Sequence, residues 1–455
     1  MMKKQNKILI ANRGEIALRI IRACKELGIP CVAAHSQADR ESLHVKFADE
    51  AICIGGGKSA DSYLNMNNVI SAAIATGCNS IHPGYGFLAE NEKFIELLER
   101  CKLTFIGPGS DAVRKLGDKA LARQIAKAAG IPILEGSDGT VRDLKEAERV
   151  AGRIGFPLLI KATAGGGGKG ISIVNGGDEL LKMFELTKME AEANFGNPDV
   201  YLEKHIEKPR HVEVQFLADK HGNVVYFPER DCSVQRRNQK MIEESPSPFV
   251  SESLRKQLGE ATVKLVKATD YVNAGTVEFI VDEDGNFYFL EVNARIQVEH
   301  PVTEVLTGVD LVKEQIRIAY NDELSIKQDD IAFSGHALEC RITAEDPLKD
   351  FQPSPGLVRN LVLPGGPGIR IDTHLYNDYE VPPHYDSLLA KLIVWAPTRK
   401  EAIRKMRVAL EQFIIDGVKN NIDILYLILH NTNFVRGIYD TGFMKSFMEI
   451  LKGEI

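Results

Sequence analysis

The strongest constraint on the fold lies in residues 7–116, where short apolar runs alternate with stretches of helical periodicity. Lys7–Ala11 predicts a strand, and Glu15–Leu27 a helix with Ile16, Ile20, Ala23 and Leu27 on one face and Gly28 as its stop. Further strands are expected at Cys31–Ala34, Ala51–Ile54, Ser80–His82 and Thr104–Gly107, with helices at Leu64–Thr76 and Asn91–Cys101. This rhythm implies a parallel sheet covered by helices.

From Asp118 the texture changes. A helix around Leu121–Ala129 precedes Gly130-Ile131-Pro132, and residues 133–205 read as a small α/β unit carrying a glycine loop. Strands then dominate at Val212–Ala218, Val224–Glu229, Thr276–Asp282 and Asn286–Val292. Past about residue 330, loops rich in Pro and Gly lead to a helix at Arg399–Phe413. A chain of 455 residues exceeds one ordinary core, so the expected division is 1–117, 118–330 (with a lid at 133–205) and 331–455.

Composition narrows the functional classes. The net charge of -7 and the absence of a long basic run argue against nucleic-acid binding. Nothing approaches the ~18 apolar residues of a membrane span. The opening MMKKQNKILIANRGEI has too short an apolar run for a signal peptide. The cysteines at 24, 31, 53, 78, 101, 232 and 340 are scattered and form no C-x-x-C, which suits free thiols in a reducing compartment. The expected location is the cytoplasm.

Three segments carry chemistry. The first is Lys161-Ala-Thr-Ala-Gly-Gly-Gly-Gly-Lys-Gly170, after an apolar strand. Its glycines let backbone N–H groups approach phosphate oxygens, and the bracketing lysines suit a polyphosphate. It is not a P-loop, since Lys169 is followed by Gly170. A flexible surface turn is the alternative.

The second segment runs from Thr276 to Asn293. Asp284-Gly285 is a preferred two-residue hairpin turn, which sets Glu278 opposite Glu291, with Asn293 on the same face. Opposed like charges destabilise a sheet, and a divalent cation between them removes the conflict; oxygen ligands suit Mg2+ or Mn2+ with substrate phosphates. A solvated sheet face is the alternative. The third segment, Asn293-Ala-Arg295-Ile-Gln297-Val298-Glu299-His300-Pro301, places Arg295, Gln297 and Glu299 two apart, on one side of an extended chain. Such a set would bind a small oxyanion and deprotonate it; a salt-bridge ladder is the alternative.

With Ile10–Ala17, His82–Asn91, Arg210–Gln215, Glu229–Lys240 and Gly335–Ile342, these segments make the chain resemble the ATP-grasp superfamily, and within it the biotin carboxylase family. The resemblance implies an α/β chain: an N-terminal parallel-sheet domain, a central ATP-grasp domain with a mobile glycine-rich lid, and a C-terminal α+β domain. It implies that Lys119 and Lys161 contact ATP phosphates and that Gly167 and Gly168 belong to the lid. Glu203, Lys204, His205 and Ile206 would hold the adenine, and His211 and Gln235 would line the nucleotide site. Glu278, Glu291 and Asn293 would be the metal site. Lys240, Arg295, Gln297 and the Val298 backbone would bind bicarbonate, with Glu299 as its base and Arg341 stabilising the biotin enolate. At position 238 the family commonly has histidine; Asn238 here implies altered nucleotide affinity. Tyr85 is a candidate on the substrate side, against a role in shaping the turn. Cys232 is expected to pack, His300 to orient its neighbours, and Glu304 to support rather than ligate.

The cofactors implied are ATP and Mg2+ or Mn2+ (two ions), with biotin as carrier-bound substrate. No Met-Lys-Met attachment motif occurs, so the biotin carboxyl carrier protein and the carboxyltransferase are expected as separate chains. A homodimer is expected, with residues near Arg19 and Arg370 contributing. The layout resembles an acetyl-CoA carboxylase component; a two-subunit pyruvate carboxylase and another ATP-grasp carboxylate-amine ligase are the rivals.

Overall fold

A computed structural model describes residues 6–163 and 170–453; Gly167 and Gly168 of the expected lid lie outside the described residues. The N-terminal strands are β1 (Ile8–Ile10), β2 (Cys31–His35), β3 (Glu50–Cys53), β4 (Ser80–His82) and β5 (Thr104–Phe105). They form a parallel sheet in the order β3-β2-β1-β4-β5. Ile8, Leu9 and Ile10 are fully buried, because helices cover both faces. Helix α1 (Gly14–Glu26) follows β1 after three residues and ends two residues before Gly28, which turns the chain at φ +68°. The strand order reverses between β1 and β4, so the segments that follow these two strands open a crevice at the sheet's edge.

The lid unit is a three-stranded antiparallel sheet of β6 (Leu158–Ala162), β7 (Ile171–Val174) and β8 (Val200–Lys204), in the order β7-β6-β8. It carries its own core of Val150, Leu158, Ile160, Phe184, Val200 and Leu202.

The remaining strands join one nine-stranded sheet. They are β9 (Arg210–Ala218), β10 (Val224–Tyr226), β11 (Arg230–Arg236), β12 (Gln239–Ser245), β13 (Asn273–Val281), β14 (Phe287–Asn293) and β15 (His336–Thr343), with Leu388–Ala396 and Ile369–Thr373 at the far edge. The path runs β14-β13-β9-β11-β12-β15 and on to those two strands, with β10 beside β9. The sheet therefore crosses residue 331 without a break: β12 pairs with β15 from Ile242↔Cys340 to Ser245↔Ala337.

The β13–β14 hairpin departs from expectation in its turn and agrees in its register. The loop has three residues rather than two: the Asp282 N–H bonds the Asn286 carbonyl at 2.9 Å, and Gly285 sits at φ +84°. The Asp282 side chain accepts from the Asp284 and Asn286 N–H groups at 3.0 and 2.8 Å, which builds this wider turn. The extra residue shifts pairing by one as far as Phe279↔Phe289. A bulge at Leu290 then restores Glu278 opposite Glu291.

Candidate active site

The crevice after β1 and β4 widens into a cavity of about 1080 Å³ between the N-terminal sheet, the lid and the nine-stranded sheet. Every described residue expected at the site lines it except Glu299. Lys119, Lys161, Glu203, Lys204, His205, Ile206, His211, Gln235 and Asn238 are among its lining residues, and so are Arg295, Gln297, Val298, Arg341 and Tyr85. Glu299 is wholly buried behind Lys240 and Arg341.

A row of glutamates runs in register across adjacent strands, Glu291 opposite Glu278 and Glu278 opposite Glu213; the first two line the cavity and Glu213 is fully buried. Repulsion along such a row demands cations. The Lys240 ammonium lies 2.5 Å from Glu213, 2.9 Å from Glu278 and 2.6 Å from Glu299. Arg230, fully buried, pairs with Glu213 at 2.6 Å, and Lys119 reaches Glu291 at 3.4 Å. Burial alone raises the Glu278 carboxyl, but Lys240 and His211 overcome it and hold it well below the usual carboxylate range. Burial likewise opposes charge on His211, yet Glu278 at 2.9 Å lifts that imidazole above its ordinary value. His211 is therefore a counter-cation to Glu278 in this arrangement. The oxygen atoms of Glu278, Glu291 and Asn293 fit a hard divalent cation. The Asn293 amide, donating to Glu278 at 2.8 Å, shows the two side chains within ligating reach of one point.

Arg295, Gln297 and Glu299 converge differently from the extended-chain expectation. After β14 the chain bends at residues 294–295 and turns at 298–299 before the helix His300–Thr307. The bend brings the Arg295 guanidinium onto Gln297 Oε1 at 3.1 Å and Asn293 Oδ1 at 2.9 Å. Glu90 anchors Arg295 from behind at 2.9 Å. Glu299 receives Lys240 on one oxygen and Arg341 on the other at 2.8 Å; burial raises its carboxyl, but these cations hold it well below the usual range.

Other expected residues find definite places. Lys161 and Arg123 both pair with Glu203, and the Lys204 ammonium rests on the Phe156 carbonyl at 3.0 Å. Tyr85 donates its hydroxyl to Glu15, and its ring faces the cavity. Glu304 touches neither metal row nor lid: it binds Arg19 and Arg370, each at 2.8 Å. Cys232 packs in the interior, with burial pushing its thiol well up. His300 orients the turn through Gln297, its Nδ1 lying 2.7 Å from that carbonyl oxygen. Asn238 occupies a tight turn with Arg237, at φ +64° and +47°, where asparagine is among the best-tolerated side chains. Asp350 holds the turn through Arg236 and Arg237 at 2.9 and 2.7 Å.

Residues not singled out from sequence are Glu213, Glu90, Glu243, Glu339 and Lys391. Alternation in Arg210–Gln215 puts His211, Glu213 and Gln215 on one strand face, a usable signal for the first. The others meet the site only through distant pairings. Lys391, fully buried, bridges Glu15 at 3.0 Å and the Val298 carbonyl at 2.9 Å, tying α1 to the Arg295–Glu299 turn.

Residues 4–113 match the biotin carboxylase N-terminal domain, 118–327 the ATP-binding domain of the carbamoyl-phosphate synthase L chain, and 339–446 the biotin carboxylase C-terminal domain. Biotin carboxylase 1 of Bacillus subtilis is 53% identical over 442 residues, covering 97% of this chain and 98% of that one. A pyruvate carboxylase component from Methanothermobacter thermautotrophicus is 49% identical over 450 residues, covering 99% and 91%. Among solved structures, the biotin carboxylase domain dimer of Hydrogenobacter thermophilus 2-oxoglutarate carboxylase, in complex with MgADP, ADP and bicarbonate, superposes with a TM-score of 0.93 at 50% identity, covering 97% of each chain. With these matches over nearly its whole length, and with Glu278 and Glu291 lining a cavity that Arg295 and Arg341 also line, the chain belongs to the biotin carboxylase family of ATP-dependent ligases.

Proposed function

We propose that this enzyme carboxylates biotin on a separate carrier protein, using ATP and bicarbonate through carboxyphosphate. The observation that carries this reading is the junction at Lys240, where the acidic row meets the Arg295–Glu299 turn. Glu278, Glu291 and Asn293 would hold Mg2+ or Mn2+, which supplies charge neutralisation to the triphosphate. Lys119 and Lys161 would bind phosphates and Glu203–Ile206 the base. Arg295, Gln297 and the Val298 backbone would seat bicarbonate.

Glu299 is ionised and so able to accept the bicarbonate proton, but Lys240 and Arg341 make it a weak base as it stands. An anion entering the pocket draws both cations forward, exposes Glu299 and raises its basicity. Carbonate then attacks the γ-phosphorus, with Lys240 and Lys161 offsetting charge on the transferring group. Carboxyphosphate hydrolyses in bulk water, so lid closure over the cavity protects it. Its breakdown gives CO2 and phosphate beside biotin; the phosphate takes the ureido N–H proton, Arg341 stabilises the resulting enolate, and the ureido nitrogen bonds CO2.

We propose acetyl-CoA as the final carboxyl acceptor, hence a place in fatty acid synthesis, on the family resemblance of the sequence; the relative named for pyruvate carboxylase supports pyruvate as the second reading. A homodimer and a cytoplasmic setting belong to the same proposal. Among the described residues no helix is long and apolar enough to cross a membrane. The test is bicarbonate-dependent ATP cleavage with free biotin. Arg295→Ala and Glu299→Gln should each lower the rate roughly 10²–10³-fold; wild-type rates in either would contradict the assignment.

A further inference from the structure

Behind Arg341 lie two carboxyl groups that the reaction above does not use. Glu243 on β12 and Glu339 on β15 are direct cross-strand partners, and both are fully buried. The Arg341 Nε donates to Glu243 Oε1 at 2.5 Å. Among the described residues, Glu243 Oε2 and both oxygens of Glu339 have no hydrogen-bond partner. Two ionised carboxylates in that position would leave three buried oxygens without a donor. One proton on the pair supplies the missing donor and removes one of the two charges.

We propose that Glu243 and Glu339 hold a single proton between them and thereby set the charge that Arg341 presents to the anion formed during carboxyl transfer. They are positioning residues, and the inference rests on the reading of Arg341 given above. The other groups facing the pair are Lys240 from β12, Cys232 from β11, Cys340 from β15, Glu299 from the turn and Lys391 from the strand Leu388–Ala396. Their cations are already engaged: Lys391 with Glu15, and Lys240 with the acidic row. Burial pushes the Glu243 carboxyl up to about 7 although Arg341 opposes it; burial and then Glu243 push Glu339 well above the usual carboxylate value. With the proton in place, Arg341 balances Glu243 and Glu299. When it leaves at alkaline pH, a third negative charge gathers behind the guanidinium, draws it back and opposes enolate formation.

Glu339→Gln tests this, because the amide keeps a donor toward Glu243 and cannot ionise. The proposal expects biotin-dependent turnover of the wild type to fall at alkaline pH and the fall to weaken in the variant. The ratio of alkaline to neutral kcat should rise, relative to wild type, by up to about tenfold for each pH unit that the alkaline measurement lies above the pKa of the pair. Thermal unfolding gives an arm independent of activity. A carboxyl whose native pKa is raised loses stability as pH climbs from its unfolded value to its native value, and glutamine does not. The Tm of Glu339→Gln relative to wild type should therefore increase with pH. Parallel Tm profiles, or an unmoved alkaline limb, would overturn the proposal. If Glu339→Gln does not fold, Glu243→Gln serves in its place, and an alkaline limb that persists there would overturn it equally. Absence of any bicarbonate-dependent ATP cleavage in the wild type would sink the functional reading instead, while the Tm arm still decides the shared proton.

Discussion

Two pairs of glutamates face each other across antiparallel strands of the same nine-stranded sheet, Glu278–Glu291 and Glu243–Glu339, and their repulsion is relieved in opposite ways. Around the first pair, Lys240, His211 and Lys119 supply positive charge, and Glu278 stays ionised. Glu291 also reaches the cavity, where a further cation can approach. Around the second pair the one guanidinium in contact is shared with Glu299, and three oxygens have no donor. That pair is driven toward protonation. Cross-strand acidity alone therefore does not define a metal site; the number of neighbouring cations and access from the cavity decide between binding a cation and keeping a proton.

Removing the cation that separates the two behaviours should have the largest effect. Lys240→Met leaves Glu213, Glu278 and Glu299 buried without their common ammonium. The expected loss is about 3–5 kcal/mol in denaturant unfolding, with activity abolished. Next comes Glu278→Gln, which thins the acidic row. It should lower ATP cleavage roughly 10²–10³-fold and raise the Mg2+ concentration needed for half-maximal rate, read from metal titrations. The equivalent change in the other pair, Glu339→Gln, should act in the opposite direction on stability. Its gain over wild type should approach about 1.4 kcal/mol per pH unit between the unfolded and native pKa values, and vanish in acid. The smallest effect belongs to Asn238→His, which places a less suitable side chain at φ +64° and should cost less than about 1 kcal/mol, with a modest change in ADP affinity by calorimetry.

These regions also differ in how far the sequence discloses them. The β1–β5 rhythm was readable because β1 and β2 are apolar runs and amphipathic helices separate the short strands, and Ser80–His82 has the predicted limits. The pairing of Glu278 with Glu291 was readable because the hairpin is local, although its agreement needed a wider Asp282-based turn and a compensating bulge. Strands β11 and β12 were not readable. Their segments, RDCSVQR and QKMIEES, bury charged side chains against one another, so apolar alternation is missing. The facing of Glu243 and Glu339 depends on strands nearly a hundred residues apart, a register that no local pattern encodes. The same holds for Lys391, whose role depends on meeting Glu15 and Val298. The Arg295–Glu299 set was readable as residue types, but a bend, not an extended strand, assembles it.

The central claim is that the Glu278–Glu291 pair, completed by Asn293, holds a divalent ion against nucleotide phosphates. Electron paramagnetic resonance of Mn2+ in the presence of ADP tests it directly. Wild type should show bound Mn2+ that depends on ADP, and Glu278→Gln/Glu291→Gln should lose that signal while still binding ADP alone. Undiminished Mn2+ binding in the double variant would contradict the account.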